Sequence, residues 1–599
     1  MPVFKMLDID LTTGRHQVTD VSAQFDRDLG GTAVATSLLL DTPADLDPYA
    51  PEAPIIFATG PFSAVYPVAT KTVALFRSPL TGNLGESHAG GRLAMAMYGA
   101  GFHVIRVRGA SPFPCYVTID EDQVHLHRAH SLWGSSALAA ERILRDHVPS
   151  SYKRSIVRIG PAGERRSPLA AATVDSSRHF GRLGLGGVMG SKNLKALVVS
   201  GGRYWPIVEK GKYNAFYKKL YDAVVKSPAM KKYHDLGTAM NVVPLSRINS
   251  LPTRNFAQGF FEGADEISGE TFATRHLTQH LACGHCQTGC IHMATLRERF
   301  HPEHHQFKTF KISYDHELIY ALGSNLSISS PEEILRLLLL IEKQGWDAMS
   351  IGVTLAWAID AFQAGHLTPA HTDGLVLNFG DAATGEKVLH RIARGHNEFY
   401  RDLERGAAFC ARKYGGQDSA IAFGGNEAPG YMTGLYAYLG YATGVRHSHL
   451  DSAGYAIDQK ALNEPKPDDV LTAELYKEAL WRMTLNSLVI CLFARNIYTK
   501  EAILEGLDAL GLTGWTETRL HEAARRAHAR KLQYKERCGF RFDDLVLPGK
   551  LARVVSGAGQ VDPARFARQV AAYRDLARAD LAAAADVADA PPSAIPNPR

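Results

Sequence analysis

Cysteine is scarce in this chain: seven residues in 599, unevenly spread. That excludes a disulfide framework and points to the reducing cytoplasm. Charge of one sign is lacking too. A net +5 over 599 residues gives no bulk attraction to nucleic acid. Long apolar runs are missing. The greasiest stretch, 334–341, is broken by Arg336 and followed by Glu342 and Lys343, so no membrane span is expected. The N-terminus, Met1-Pro-Val-Phe-Lys-Met-Leu-Asp, has neither the apolar core nor the small-residue cleavage site of a secretory signal. There is no Gly-x4-Gly-Lys-Ser/Thr loop and no clean Gly-x-Gly-x-x-Gly between a strand and a helix. P-loop and Rossmann readings therefore fail. No internal repeat of constant period occurs.

What is present suggests a globular chain, 45% hydrophobic and 21% charged, long enough for about three to four domains. The fold class expected is α+β. Residues 1–208 read as β-rich, with strand patterns at 3–11, 54–59, 72–76, 103–108, 116–119, 124–127, 155–159 and 194–200. Helical patterns there are few, at 91–98 and 135–147. Glycine clusters in this part, including Gly90-Gly91, Gly181 and Gly186-Gly187, where a backbone can approach a ligand closely. From 209 the pattern turns helical, at 213–227, 331–344, 352–364, 385–400 and 402–414. A second helical block covers 472–493, 499–506, 516–534 and 563–580. The Ala- and Pro-rich tail, 581–599, is expected to be disordered.

Three of the seven cysteines stand in Leu281-Ala-Cys-Gly-His-Cys-Gln-Thr-Gly-Cys290, spaced Cys-x2-Cys-x3-Cys. Three thiolates so close can meet on a soft metal centre. A structural zinc site would close with a near ligand such as His285 or His292. An iron–sulfur cluster would take a distant fourth cysteine. The best candidate for that ligand is Cys491, on an apolar, helix-like segment; a buried core cysteine is the competing reading. Cys115, Cys410 and Cys538 read as structural. Glu317 begins an apolar segment, where an unpaired carboxylate is costly and its pKa rises, which suits a general acid or base; a helix-terminal carboxylate is the plainer reading. Gly444-Val-Arg-His-Ser-His-Leu-Asp451 offers His447 and His449 for proton transfer. His301, His304 and His305 read as a solvated loop rather than a metal handle.

Seven blocks in order resemble the aldehyde ferredoxin oxidoreductase family. They are Ser78-Pro-Leu-Thr-Gly82, Gly160-Pro-Ala-Gly-Glu164, Gly187-Val-Met-Gly-Ser-Lys-Asn-Leu-Lys-Ala196, Leu251-Pro-Thr-Arg-Asn-Phe256, the cysteine triplet, Leu322-Gly-Ser-Asn325 and the Cys491 segment. The resemblance implies an N-terminal domain of two β-sheets forming the base for pterins, followed by two mostly helical domains, 209–410 with the cysteine triplet and 411–580 with the fourth cysteine. It implies a tungsten (or molybdenum) bis-pyranopterin, one [4Fe–4S] cluster held by Cys283, Cys286, Cys290 and Cys491, and a bridging magnesium ion.

By the same resemblance Lys71, Gly90, Gly91, Arg178, His179, Gly181, Arg182, Asp347 and Ile351 line the pterins, with Asn486, Ile490 and Leu492 beside the last cysteine. Glu317 matches the active-site glutamate. His447 matches the catalytic histidine by its distance from Gly444, with His449 as the fallback. The implied reaction oxidises an aldehyde, with water, to a carboxylic acid and passes electrons to a ferredoxin or an iron–sulfur subunit. A homodimer is among the assemblies the resemblance allows. Acid reduction, another carbonyl or ring substrate, and a non-catalytic iron–sulfur subunit are the alternatives. Three departures bear on substrate and metal environment: Asn486 replaces a family aspartate, His88 stands near a family asparagine that helps bind magnesium, and Arg446 adjoins the candidate histidine.

Overall fold

The computed structural model describes residues 3–150, 152–204, 207, 209–300 and 305–584. His301 and His304 lie outside them, as does 585–599.

Twelve strands build the N-terminal part: β1 (Lys5–Asp10), β2 (Arg15–Asp20), β3 (Ile55–Ala58), β4 (Thr72–Arg77), β5 (Leu84–Ala89), β6 (Val104–Arg108), β7 (Cys115–Asp120), β8 (Gln123–Arg128), β9 (Lys153–Arg158), β10 (Ala172–Val174), β11 (Arg178–Phe180) and β12 (Leu194–Gly201). They form two six-stranded sheets, ordered β2-β1-β6-β3-β4-β5 and β11-β10-β9-β12-β7-β8. The pleat explains how they stack. Ile55 and Phe57 of β3 face the second sheet, in one core with Val117, Val157, Leu197 and Val199. Ile56 and Ala58 face the opposite way, into the core shared with the Gly31–Leu40 helix. A strand buried on both faces needs a continuous apolar run, which Ile-Ile-Phe-Ala supplies.

The strands with such runs were legible; β2, β5, β10 and β11 were not. β2 carries Arg15, His16 and Gln17 on an edge, and β5 is Leu-Gly-Glu-Ser-His-Ala. Neither has a hydrophobic pattern of its own, and pairing to a neighbour makes each a strand.

After residue 209 helices dominate, apart from two short two-stranded ribbons and one larger sheet. β13 (Leu277–Leu281), β14 (Ile291–Arg299) and β15 (Phe307–Tyr314) form an antiparallel sheet, and the cysteine triplet fills the turn between the first two. Helix limits differ from expectation where a cap acts. The 352–364 pattern starts early, at Ala348, because Asp347 accepts a hydrogen bond from Met349 N. The 385–400 pattern breaks at Gly395, φ +57°, into two helices. The last helix, Pro563–Ala584, runs on into the segment expected to be disordered.

The C-terminal helices close over the N-terminal sheets. The Glu517–Arg537 helix packs on the Gly31–Leu40 helix. Its Lys531 meets Glu86 of β5 at 2.6 Å, both side chains fully buried. Its Arg526 and Arg530 hold Asp28. No helix among the described residues is long and apolar enough to cross a membrane.

Candidate active site and metal centre

Three chain segments converge on the cysteines through backbone hydrogen bonds. Val68 N donates to His285 O, Cys491 N to Val68 O, Lys71 N to Val489 O, and Gly284 N to Gly91 O. The 68–71 loop thus stitches the triplet turn to the Cys491 segment. Cys491 is not helical: the Asp468–Ser487 helix ends before it, Val489 takes φ +52°, and Cys491 is extended. This break turns the thiol back toward the triplet.

Burial pushes the Cys290 thiol up to about 12, and the neighbouring Cys491, Cys283 and Cys286 add to the effect, while Arg178 opposes it. The Cys286 thiol rises for the same reasons of burial and adjacent cysteines. Four thiols therefore share one space. No set of three His, Cys, Asp or Glu side chains among the described residues closes tightly enough for a single ion. Of the two nearby histidines, His292 is spent on His234 O, 2.6 Å away, while His285 (φ +65°) lends its carbonyl to Val68 and keeps Nδ1 buried without a hydrogen-bond partner. Cys115 and Cys410 are buried elsewhere, in β7 and in the Ala407–Tyr414 helix.

Beside the cysteines lies a cradle of glycines and cations. A Cβ on Gly90 would stand 2.6 Å from Cys283 Sγ and 3.4 Å from Lys71 Nζ, and one on Gly91, φ +96°, 2.9 Å from Asp175 Oδ2. The positive φ at Gly91 favours glycine, and at Gly90 a side chain would press on the Cys283 thiol. Arg178 Nε, Arg182 Nη1 and Asn486 Nδ2 are buried without hydrogen-bond partners, an arrangement that costs free energy unless a ligand completes it. The rest of Arg182 is fixed: Nε donates to Asp347 Oδ2 at 3.0 Å, and Nη2 to Ser350 Oγ and Glu427 O at 3.0 and 2.8 Å. His179 pairs with Glu342 at 2.9 Å. Ile351 and Ile490 are buried, Leu492 half-buried, and Gly181 borders open space. His88 is bonded to Glu86 at 2.7 Å.

Glu317 stands in the first turn of the His316–Leu322 helix, which Asp315 caps by accepting from Leu318 N. Its Oε2 accepts from Gly430 N at 2.9 Å, while His316 Nε2 donates to Gly430 O at 3.0 Å. Its Oε1 has no hydrogen bond. Burial raises the carboxyl to about 8, against the pull of the Gly430 N–H.

Facing it at 3.5 Å is His449 Nδ1, also unbonded. Burial, then the nearby Arg482 and Arg182, hold His449 well below the usual histidine range. Two unsatisfied buried groups point at each other across a space lined by Tyr431, whose ring lies 5.3 Å from that of His449 and 4.8 Å from that of His316.

His447 is elsewhere. It has φ +55°, its Nδ1 is 3.0 Å from Tyr441 O, and its Nε2 is 3.0 Å from Lys535 Nζ. Asp451 locks the loop between them by accepting from Arg446 N, Arg446 Nε and Ser448 N. The two histidines therefore point to opposite sides. The structure brings Glu317 together with His449 and not with His447. Sequence reasoning missed Tyr431 and Glu427. Glu427 is fully buried, its carboxyl raised by burial, and its Oε2 is 4.0 Å from Arg182. Both lie more than a hundred residues from Glu317, so no local pattern marked them.

The sequence matches two family signatures in tandem: the aldehyde ferredoxin oxidoreductase N-terminal domain over residues 6–201, and domains 2 and 3 of the same enzyme over 215–577. The chain belongs to the aldehyde ferredoxin oxidoreductase family. A tungsten-containing aldehyde ferredoxin oxidoreductase of Pyrococcus horikoshii is 30% identical, over 77% of this chain and 76% of the relative. The WOR-like subunit of an aliphatic sulfonate oxidoreductase of Pyrococcus furiosus is 28% identical, over 65% of this chain and 64% of the relative. The active-site complex BamBC of benzoyl coenzyme A reductase, solved with 1,5-dienoyl-CoA, superposes with TM-score 0.80 over 96% of this chain and 95% of that one at 19% identity. This last likeness is one of fold: two stacked sheets, then helical domains.

Proposed function

We propose that this family member is a tungsten- (or molybdenum-) pterin enzyme that oxidises an aldehyde to a carboxylic acid and passes the electrons through a [4Fe–4S] cluster held by Cys283, Cys286, Cys290 and Cys491 to a ferredoxin or an iron–sulfur subunit. The observation that carries the reading is the pair of unsatisfied buried atoms, Glu317 Oε1 and His449 Nδ1, 3.5 Å apart.

The residues present fit the cofactors. Four thiols surround one space, Gly90 and Gly91 leave room where a side chain would intrude, and Arg178, Arg182 and Asn486 offer unspent donors. Guanidinium groups suit the pterin phosphates, and the asparagine amide suits a pterin edge. The bound pterin metal would supply the two-electron redox chemistry. The chain supplies the rest. Arg182, held by Asp347, Ser350 and the Glu427 carbonyl, fixes the floor of the site. Tyr431 and His316 wall off bulk water. Oxidising an aldehyde with water releases two electrons and two protons, and Glu317 is the group to take a proton at Oε1. A carboxyl at about 8 exchanges protons readily near neutral pH. His449, kept neutral by burial, donates a hydrogen bond to the developing oxyanion.

Metal analysis of anaerobically purified protein together with an aldehyde panel tests this. Tungsten or molybdenum and about four irons per chain are expected, with viologen-linked oxidation of at least one aldehyde. Zinc alone would overturn the reading. Metal-replete protein that oxidises no aldehyde would favour another substrate class, as the sulfonate and benzoyl-CoA names among its relatives suggest.

A further inference from the structure

A cluster of cations stands directly beside the cysteine turn. Arg92, Arg145, Lys153 and Arg154 line one small cavity of about 150 Å³, at the outer end of β9 and the Ala137–His147 helix. Arg92 follows Gly91, whose carbonyl accepts the hydrogen bond from Gly284 N next to Cys283. The turn reaches the surface here, since Ala282 is exposed.

These charges are poorly compensated. Three carboxylates face them: Glu141, Asp146 and Asp175. Glu141 is divided between Arg145 and the fully buried Arg158. Asp175 accepts from Arg92 N at 2.8 Å and Ser155 Oγ at 3.0 Å and lies 3.6 Å from Arg92 Nε. Asp146 is exposed. Burial lowers Arg154, and the like charges of Arg145 and Arg92 lower it further. Lys153, at the start of β9, is exposed. Holding like charges together costs free energy, which an anionic partner recovers.

We propose that this cationic basin is the docking surface for the electron acceptor, an acidic iron–sulfur protein, seated over the Cys283 side of the cluster turn. The inference rests on the function proposed above. A partner carrying carboxylates is steered to the basin, and its own cluster is then brought beside the cysteine turn. Each electron passes singly from the reduced cluster to the oxidised carrier.

The test uses the holoenzyme with a small acidic two-cluster bacterial ferredoxin as probe and a viologen as comparison acceptor. Binding of the ferredoxin is measured by calorimetry from low to high salt, in wild type, Lys153→Ala and Lys153→Glu. The expected result is affinity that falls with salt and falls in steps through the two variants, by about tenfold for charge reversal. The ratio of kcat/KM for ferredoxin to that for viologen should fall in parallel. Ferredoxin binding that ignores both salt and Lys153, in enzyme with normal viologen-linked turnover, would overturn the docking surface. So would Lys153-dependent binding of inorganic phosphate by an enzyme that binds no ferredoxin, which would make the basin a small-anion site. Absence of aldehyde turnover with viologen counts against the proposed reaction only, because the binding measurement needs no turnover.

Discussion

His447 and His449 are two residues apart on one loop, both buried, and both held well below the usual histidine range by burial. Their surroundings differ. His447 has its two ring nitrogens on Tyr441 O and Lys535 Nζ, while Gly424 is so close that any side chain there would overlap the imidazole. His449 has an open Nδ1 facing an open carboxyl oxygen. Burial and a shifted pKa are common to both, so neither property marks chemistry. What separates them is the unspent polar atom. A fully bonded buried histidine is part of the architecture; one with a free nitrogen aimed at a raised glutamate is placed to meet a ligand.

The sharpest way to break this contrast is Glu317→Gln. Turnover should fall about 10²–10⁴-fold with metal content unchanged; near-normal turnover would remove Glu317 from proton transfer. Next comes His449→Asn, for which a loss of about 10²–10³-fold in kcat is expected, larger than that of His447→Asn when each is normalised to folded protein. The reverse ranking would restore His447 to the site.

A third effect is thermodynamic. The Glu317 carboxyl sits at about 8 in the folded chain against 4.5 ordinarily. Between those values the folded state holds a proton that the unfolded state has released. Its contribution to stability is therefore lost as pH rises through that window and levels off above about 8. Glu317→Gln removes this penalty, so its stability relative to wild type should climb from pH 5 to pH 8, by no more than about 5 kcal/mol. Denaturant midpoints that shift equally at both pH values would contradict it. The smallest effect concerns the other histidine. Lys535→Met strands His447 Nε2 and the Gly444 and Val445 carbonyls, costing about 1–3 kcal/mol; an unchanged unfolding midpoint would mean that the pair contributes nothing.

Legibility followed burial. Strands such as Ile55–Ala58 showed because both faces are buried and the run is unbroken. The edge strand Arg15–Asp20 did not, because its pattern is set by its neighbour. The glutamate was readable from an acid opening an apolar segment. Its partner was not: His447 and His449 lie in one short stretch, and the left-handed turn at His447 and the Asp451 clamp decide which ring faces Glu317. Cys491 looked like part of a helix because Leu488, Val489 and Ile490 are apolar, yet Leu488 and Ile490 pack a core while the backbone leaves the helix.

The sequence by itself determined the family, the order of sheets before helices, and the scarce thiols from which a cluster could be built. Composition and local pattern carry these, because they depend on which residues are present and how they alternate. The tertiary structure alone decided which histidine meets Glu317, that Tyr431 and Glu427 join it, and that four cations share one cavity beside Gly91. Those facts depend on backbone turns such as that at His447 and on how segments distant along the chain fold onto one another, neither of which a hydrophobic or charge pattern records.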